Sequence, residues 1–196
     1  MTARLDENAM KQLFTEARTI NVWSDKSVPE GTWQELYDLM KYGPTSANCS
    51  PARLVFVTSA KAKARLAAHA MAGNDAKIEA SAATVIIGHD LNFADQLSEL
   101  FPHDQTAASW FDDPEVRDTT AFRNGTLQGA YLMLAARALG LDCGPMSGFD
   151  NNAVDAEFFG GSSIKSNFIC ALGYGTEEKI FPRSPRLDFD VAATVL

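Results

Sequence analysis

The sequence predicts a layered protein of the α+β or α/β class, built around one core. The order of patterns along the chain carries this prediction: two helical stripes of apolar residues come first, and short apolar strands that alternate with helices follow. The length of 196 residues suits one well-buried domain, so residues 1–196 are expected to form a single domain. The apolar share of 46% and the charged share of 21% are those of an ordinary globular protein, which argues against disorder.

Helical periodicity supplies the clearest element predictions. Apolar residues recur at a spacing of three and four over 8–19 and over 33–40, and Ser27-Val28-Pro29-Glu30 resembles a capping box before the second helix. The strongest stripe covers 119–139, with Gly140 where a helix C-terminus favours glycine, and it predicts a central helix. The other predicted elements are a strand over 54–57, a helix over 59–71, a helical piece around 78, a strand over 84–87, a helix over 151–159 and a strand over 168–172.

Two polar turns interrupt this pattern. Gly43-Pro44-Thr45-Ser46-Ala47-Asn48-Cys49-Ser50-Pro51 follows the second helix and offers hydroxyl and amide groups between two prolines, which restrict the path of the chain. Gly144-Pro145-Met146-Ser147-Gly148 follows the central helix and predicts a second turn with exposed backbone. Taken alone, each turn is also typical of a plain connection between two elements.

Two further stretches predict contacts beyond a simple core. Residues 90–118 carry many large apolar side chains in an irregular, turn-rich context, which is typical of a lid, of a partner surface or of packing onto the chain's own core. The final stretch, with Arg183-Ser184-Pro185-Arg186, is too long and too marked by proline to be a last core element. We expect it to lie across another subunit.

Charge and hydropathy limit the classes of partner. With 17 basic and 25 acidic residues the net charge is −8, which disfavours general binding to nucleic acids and to anionic membranes. An anionic ligand would therefore need a local cluster of arginines. No apolar run reaches the roughly 18–20 residues of a membrane span, and the N-terminal residues are polar and acidic rather than those of a signal peptide, so a cytoplasmic protein is expected.

The sequence contains few signals for side-chain catalysis or metal binding. Its three cysteines and three histidines show no ligand spacing, so we predict no metal site and no disulfide framework. A Gly-x-Ser-x-Gly elbow, a phosphate-binding Gly-x-x-x-x-Gly-Lys loop and a Gly-x-Gly-x-x-Gly fingerprint are all missing. Hydrolase, nucleotide triphosphatase and Rossmann dehydrogenase functions are therefore disfavoured, and no catalytic side chain is predicted.

Four polar segments remain, and their order along the chain is informative. They are 18–21, 43–51, 145–148, and the tail with Arg183 and Arg186. The chain resembles the nitroreductase-like flavoproteins, in which an Arg-Ser/Thr-x-Arg-like element ends the first helix and a Pro-Ser-x-x-Asn-x-Gln-Pro-like loop follows the second. A Gly-Leu-rich turn after the central helix and a C-terminal arginine complete that family pattern. The segments 17–23, 43–53, 120–124, 138–142, 144–150 and 165–167 look like its malonic semialdehyde reductase branch, associated with pyrimidine degradation.

The resemblance implies a fold, a cofactor and a reaction. The implied fold is nitroreductase-like: a central mixed sheet flanked by helices, in an intertwined homodimer with an extended C-terminal segment. The implied cofactor is FMN, with NADPH or NADH as the hydride donor. The implied activity is reduction of malonic semialdehyde to 3-hydroxypropanoate by ping-pong hydride transfer, with the flavin rather than a side chain carrying the hydride.

The resemblance also assigns residues to the site. Asn21 and Ser50 depart from the family pattern, which usually has a second arginine and a glutamine there. Arg53 and Arg123 are the candidates for binding a substrate carboxylate. The loop over 43–51 is expected to contact a cofactor that is held mainly by the other subunit. The residues assigned to the cofactor are Arg18, Thr19, Asn21, Ser46, Asn48, Pro145, Met146, Ser147, Gly148, Arg183 and Arg186.

Three alternatives remain open at the level of the sequence. An enzyme of the same fold that reduces nitroaromatic compounds or quinones would carry the same segments, since one fold serves several acceptors. A binding module that retains flavin without catalysis would also lack an acid–base residue. A purely structural protein is disfavoured by the four polar segments.

Overall fold

A four-stranded antiparallel sheet lies at the centre of the computed structural model, which describes residues 3–196. The strands have the spatial order β1-β2-β4-β3, and each runs opposite to its neighbours. The predicted mixed sheet is thus corrected to an antiparallel one, with parallel pairing reduced to a single bridge, Thr19 to Cys143. The strands are β1 Ala52–Val57, β2 Ala83–Asp90, β3 Asp142–Met146 and β4 Ile164–Gly173.

Helices cover both faces of this sheet because successive strand residues point in opposite directions. Val85 and Ile87 pack into one apolar cluster with Leu132 of the central helix, whereas Ile86 packs with Leu66 on the other face. The helices are α1 Glu7–Met10, which continues as a π-helical turn over Lys11–Thr15, α2 Thr32–Met40, α3 Ala60–Ala67, α4 Asp75–Ala80, α5 Leu97–Leu100, α6 Pro114–Ala138, α7 Asn151–Phe158 and α8 Phe189–Ala192, with 3-10 turns at Ser46–Asn48, Phe93–Gln96 and Ala107–Phe111.

The central helix α6 begins five residues before the predicted start at 119. Its start is set by Asp113, whose carboxylate accepts hydrogen bonds from the backbone of Glu115 and Val116, and by proline at the first helical position. Gly140 has a φ of +76°, which confirms it as the glycine that ends the helix. Capping chemistry, rather than apolar spacing, therefore fixes where this helix begins.

Glycines in α6 let the helix lie directly on the sheet. A Cβ atom at Gly125 would lie 2.8 Å from Cβ of His89, and one at Gly129 would lie 2.5 Å from the ring of Phe168. We expect Gly129→Ala to lower the free energy of unfolding by about 1–3 kcal/mol, because overpacking outweighs the gain in helix propensity of about 1 kcal/mol. Urea unfolding measures this change.

Ala64, an exposed residue inside α3, provides the control, because no close packing opposes its intrinsic propensity. Ala64→Gly should cost about 1 kcal/mol, as expected for an open helical position. A Gly129→Ala protein more stable than the wild type would contradict the close approach of α6 to β4.

Three other predicted elements are corrected by the structure. The first helix ends at Thr15 rather than at 19, because the chain then turns extended and bridges β3 through Thr19. The second helix begins at Thr32 behind Gly31, whose φ is +86°, so the proposed capping box at Ser27 is not used. The predicted turn over 144–148 is in part strand β3.

The irregular region over 90–118 mostly packs on the chain's own core. Phe93, Leu97, Ala107 and Phe111 are buried in one cluster with Cys49 of the polar loop. Trp110, by contrast, is half exposed. The tail beyond Ile180 is exposed throughout, and no helix within residues 3–196 is both long and apolar enough to cross a membrane.

Candidate functional site

A positively charged pocket of about 420 Å³ lies between the first helical segment and the tail. Four arginines and no carboxylate are among its lining residues. Within residues 3–196 none of the four takes part in an ion pair. On a chain with a net charge of −8, such a cluster of arginines is suited to binding an anion. It is lined by Phe14, Ala17, Arg18, Thr19, Asn21, Arg137, Phe181, Pro182, Arg183, Ser184 and Arg186.

Arginine side chains tie the tail to the segment that follows the first helix. Arg18 donates to the carbonyl of Phe181, and Arg183 donates to the carbonyls of Thr15 at 2.7 Å and Ala17 at 3.1 Å. Each guanidinium has five N–H donors, so these bonds leave donors available for a ligand. The first and the last of the polar segments thus meet in one pocket.

Arg186 and Asn21 complete the polar lining in the same way. Arg186 donates to the carbonyls of Ser184 and Pro185 at 2.9 and 3.1 Å, which folds its side chain back along the tail. The side-chain amide of Asn21 donates to the carbonyl of Lys179 at 3.3 Å. Thr19 lines the pocket with an exposed side chain.

The fourth arginine, Arg137, was missed by the sequence reasoning. It lies in the last turn of α6, where a basic side chain is ordinary because it complements the helix dipole. Its guanidinium donates to the carbonyl of Leu13 at 2.8 Å, which brings it to the pocket. Only the packing of the first helical segment against α6 distinguishes it from a surface arginine.

Strand β3 brings the third polar segment beside this pocket. The backbone N–H of Ile20 donates to the carbonyl of Cys143 at 3.0 Å. A Cβ at Gly144 would lie 2.8 Å from the carbonyl oxygen of Ile20, so only glycine permits this approach. Segments 18–21 and 145–148 therefore lie on neighbouring stretches of chain.

Residues 145–148 alternate between exposed and more buried positions. Pro145 and Ser147 are exposed, whereas the side chain of Met146 is buried in the core. Gly148 accepts hydrogen bonds from the backbone of Met71 at 2.9 Å and from the side chain of Asn74 at 3.0 Å. Asn74 is a second residue that sequence reasoning missed, since nothing in its local pattern distinguishes it from a turn residue.

The loop over 43–51 lies elsewhere, on the middle of α6. Tyr131 donates to the carbonyl of Pro44 at 3.0 Å, and the amide of Asn48 donates to the carbonyl of Leu100 at 2.8 Å. The side chains of Ser46 and Asn48 are exposed. In the part of the chain that the structure describes, no hydrogen bond joins this loop to the arginine pocket.

Arg53 and Arg123 have contrasting surroundings. Arg53 is half buried, and its guanidinium lies 2.9 Å from the carboxylate of Asp90 and 3.1 Å from the carbonyl of Ser50. Arg123 is exposed on α6 and takes part in no ion pair among residues 3–196. It borders an apolar groove of about 480 Å³ lined by Thr119, Phe122, Arg123, Thr126, Leu127 and Ala130.

The thiols give no support to nucleophilic catalysis. Burial raises the pKa of Cys49 to about 11, so its thiol stays protonated at neutral pH. Cys49 is thus a buried thiol of the polar loop, packed in one cluster with Phe93 and Leu97. Across the described residues, no group of three or more His, Cys, Asp or Glu side chains is arranged to hold a metal ion.

The fold and the arginine pocket define an α+β protein with a positively charged pocket, one wall of which is bonded to strand β3. Residues 15–175 match the model of the nitroreductase family, and the chain belongs to that family.

Relatives and solved structures agree with this assignment. A protein from Caulobacter sp. (strain K31), provisionally named NADH dehydrogenase/NAD(P)H nitroreductase, is 58% identical over 194 residues, which cover 99% of this chain and 100% of that protein. HadB of Ralstonia pickettii, with the same provisional name, is 55% identical over the full length of both chains.

Two solved structures confirm the predicted nitroreductase-like fold. A provisionally named nitroreductase from Exiguobacterium sibiricum in complex with FMN has a TM-score of 0.85 at 21% identity, with all of both chains covered. A nitroreductase family protein from Streptococcus pneumoniae TIGR4 has a TM-score of 0.80 at 19% identity, covering 94% of this chain and 98% of its own.

Proposed function

We propose that this protein is an FMN-dependent NAD(P)H oxidoreductase. The observation that carries the proposal is the pocket with four arginines and no carboxylate, one wall of which is bonded to strand β3 through the backbone of Ile20 and Cys143. The names of the relatives, which include NAD(P)H nitroreductase, and the FMN complex of a structural neighbour support it. Membership of the nitroreductase family points the same way.

The residues present fit the chemistry of FMN. A phosphate dianion suits Arg18, Arg183, Arg186 and the newly found Arg137, because guanidinium groups bind phosphate oxygens in pairs. Thr19 and Asn21 offer neutral polar groups beside them for ribityl hydroxyls. Residues Pro145, Met146, Ser147 and Gly148 are proposed to lie along the edge of the planar ring, where Pro145 and Ser147 are exposed.

The chain itself needs no acid–base side chain for this reaction. When bound, FMN supplies the group that takes a hydride from NAD(P)H and passes it to an acceptor in a ping-pong cycle. The arginine pocket would hold the phosphate, and residues 145–148 would orient the ring. The chain would thereby bind the donor and the acceptor in turn beside the flavin.

We further propose malonic semialdehyde as the acceptor, reduced to 3-hydroxypropanoate within pyrimidine degradation in the cytoplasm. An anionic aldehyde needs a cation for its carboxylate, and Arg123 is an exposed guanidinium beside an apolar groove. We base this role on Arg123 because the guanidinium of Arg53 is already bound by Asp90. The alternative acceptor class is nitroaromatic compounds and quinones, which the relatives' names favour.

A homodimer completes the proposal. Phe122 and Leu127 expose 53% and 41% of their surface on one face of α6, and the tail exposes further large apolar side chains. A second copy of the chain would cover both surfaces. The loop over 43–51, with Ser46 and Asn48 exposed, would then contact FMN held mainly by the other subunit. The tail residues concerned are Phe181, Leu187, Phe189, Val191, Val195 and Leu196.

Cofactor content and anaerobic reduction test the function directly. The purified protein should be yellow and release FMN on denaturation, and NADPH or NADH should bleach it without oxygen. The rates at which malonic semialdehyde, a nitrofuran and a quinone reoxidise the bleached protein should then be compared. A flavin that neither nucleotide bleaches would show a binding module instead, and faster reoxidation by the nitrofuran or quinone would support the alternative acceptors.

Replacing Arg123 tests the acceptor separately from the cofactor. Arg123→Ala should lower kcat/KM for malonic semialdehyde about 10- to 100-fold through KM, because a charge-assisted hydrogen bond is lost. The value for propanal, which lacks the carboxylate, should change by less than about twofold. Steady-state kinetics with both aldehydes measure the difference.

Arg117 on the same helix serves as the matched control, since it also takes part in no ion pair within residues 3–196. Arg117→Ala should leave unchanged the ratio of the kcat/KM values for the two aldehydes. Equal losses for both aldehydes in Arg123→Ala would remove the carboxylate role from Arg123.

A further inference from the structure

The polar loop contains an unusual run of backbone conformations. Ala47, Asn48 and Ser50 have φ values of +49°, +50° and +39°. These values lie in the left-handed region, which residues other than glycine rarely adopt. Such residues persist only where surrounding contacts hold them. The loop that exposes Ser46 and Asn48 is therefore strained and depends on an external support.

Asn124 of α6 provides a buried support at the start of this run. Its side chain is 1% exposed, and its Oδ1 atom accepts a hydrogen bond from the backbone N–H of Ser46 at 2.9 Å. Its Nδ2 atom donates to the carbonyl of Thr120 at 2.9 Å, one helical turn earlier. The amide is thus satisfied on both sides, which fixes its orientation and that of the Ser46 peptide.

Gln128 lies one turn further along the same face and makes a comparable bond. Its side chain is 4% exposed, and Oε1 accepts from the backbone N–H of Ala52 at 2.8 Å. Ala52 belongs to β1 and comes after the left-handed residues. The two amides therefore bond the two ends of the loop, and of the two only Asn124 bonds the residue directly before the left-handed run. Within the run, the N–H of Ser50 donates to Oγ1 of Thr45 at 3.1 Å and the amide of Asn48 donates to the carbonyl of Leu100.

We propose that Asn124 is a positioning residue for the cofactor. By fixing the Ser46 peptide it holds Ala47 and Asn48 in the left-handed conformation that presents the side chains of Ser46 and Asn48. The inference rests on the proposed function, in which this loop contacts FMN. An amide is suited to the position because it accepts from the loop and donates to the helix at once.

The test separates cofactor positioning from general stability. Asn124→Ala and Gln128→Ala each remove one loop bond and a buried amide, so both should lower the urea midpoint by similar amounts. Only Asn124→Ala should weaken FMN binding, by about tenfold or more, and alter the visible absorption of the bound flavin. Gln128→Ala should bind FMN within about twofold of the wild type. Fluorescence titration of the apoprotein with FMN measures both affinities.

Asn124→Ser addresses the same bond with a milder change. A serine hydroxyl at this position can donate to the carbonyl of Thr120, four residues back, but is too short to replace Oδ1 at Ser46. It should therefore weaken FMN binding as Asn124→Ala does while preserving more stability. This variant carries the comparison if Asn124→Ala does not fold.

A second-site change tests the strain directly. Adding Ala47→Gly to Asn124→Ser should recover part of the lost FMN affinity, because glycine adopts a positive φ without steric cost. Loss of affinity in Gln128→Ala equal to that in the Asn124 variants, or unchanged FMN binding in both Asn124 variants, would overturn the positioning role alone. A wild-type protein that binds no FMN would overturn the proposed function and this inference together.

Discussion

Arg18→Ala is expected to yield a protein that is purified largely without FMN. Arg18 lines the four-arginine pocket and also a smaller pocket of about 250 Å³ that shares Arg137 with it. The change removes a phosphate cation and also the bond from Arg18 to the carbonyl of Phe181, which holds the tail. Charge-assisted bonds to phosphate contribute about 1.5–3 kcal/mol, so the Kd for FMN should rise at least about tenfold and up to about 150-fold.

Riboflavin, which lacks the phosphate, makes this prediction specific. Wild-type protein should prefer FMN to riboflavin strongly, and Arg18→Ala should reduce that preference while changing riboflavin affinity far less. Arg18→Lys should be intermediate, since lysine keeps the charge but lacks the planar fork of donors. Fluorescence titrations with both flavins provide the measurement.

Arg65 offers a matched control outside the pocket. It is an exposed arginine on α3 paired with Glu157, so Arg65→Ala changes the net charge by the same amount as Arg18→Ala. FMN affinity should be unchanged in this variant. Equal losses of FMN and riboflavin in Arg18→Ala would mean that Arg18 supports the fold rather than the phosphate.

The clustering of arginines in the pocket was predictable in outline from the sequence, because the prediction rested on an electrostatic argument. A chain with a net charge of −8 needs local arginines to bind an anion, and Arg18, Arg183 and Arg186 do line one pocket. Arg137 and Asn74 were not predictable, because their local patterns are those of a helix end and a turn. Their positions depend on tertiary contacts to Leu13 and Gly148.

Strand β3 shows why local sequence misassigned an element of the fold. Glycine and proline at 144 and 145 favour a turn, yet Asp142–Met146 forms a strand. That strand lies at the edge of the sheet and pairs through β4, so Pro145 removes no central ladder bond. The position of a strand within its sheet is a tertiary property, and here it allowed residues 142–146 to form a strand where the local sequence favours a turn.

Of two helix ends, the one that the sequence predicted correctly has a local cause, and the one that it predicted wrongly has a tertiary cause. Gly140 was identified from sequence because a left-handed glycine after a helix is a local property, with a φ of +76°. The first helix was predicted four residues too long, because segment 18–21 leaves the helix to contact β3. The same contact forms one wall of the arginine pocket, because Thr19 both bridges Cys143 and lines the pocket.

Leu127→Asp is expected to separate the proposed homodimer and to release FMN with it. Leu127 is exposed in the middle of the apolar groove on α6, and a carboxylate there would have to be buried without a partner if a second copy covered the groove. Sedimentation should then show the mass of one chain where the wild type shows two. Breaking such an interface costs several kcal/mol, so dissociation at micromolar concentration is expected.

Ala64→Asp provides the control for this change, because Ala64 is exposed on α3, across the sheet from α6. That variant should keep both the dimer mass and the FMN content of the wild type. A Leu127→Asp protein that remains dimeric would place the interface elsewhere.

Cofactor content then decides how the site is shared between subunits. The loop over 43–51 makes no hydrogen bond to the arginine pocket within residues 3–196. In a separated chain, FMN would therefore keep the arginines proposed to bind its phosphate, but it would lose its contact with Ser46 and Asn48 of the other subunit. The affinity of the monomer for FMN should therefore fall, while its preference for FMN over riboflavin should change less. Arg18→Ala is expected to show the reverse pattern, in which that preference is reduced. A monomer that retains FMN with wild-type affinity would show that the loop serves no cofactor, and the exposed hydroxyl and amide of Ser46 and Asn48 would then need another ligand.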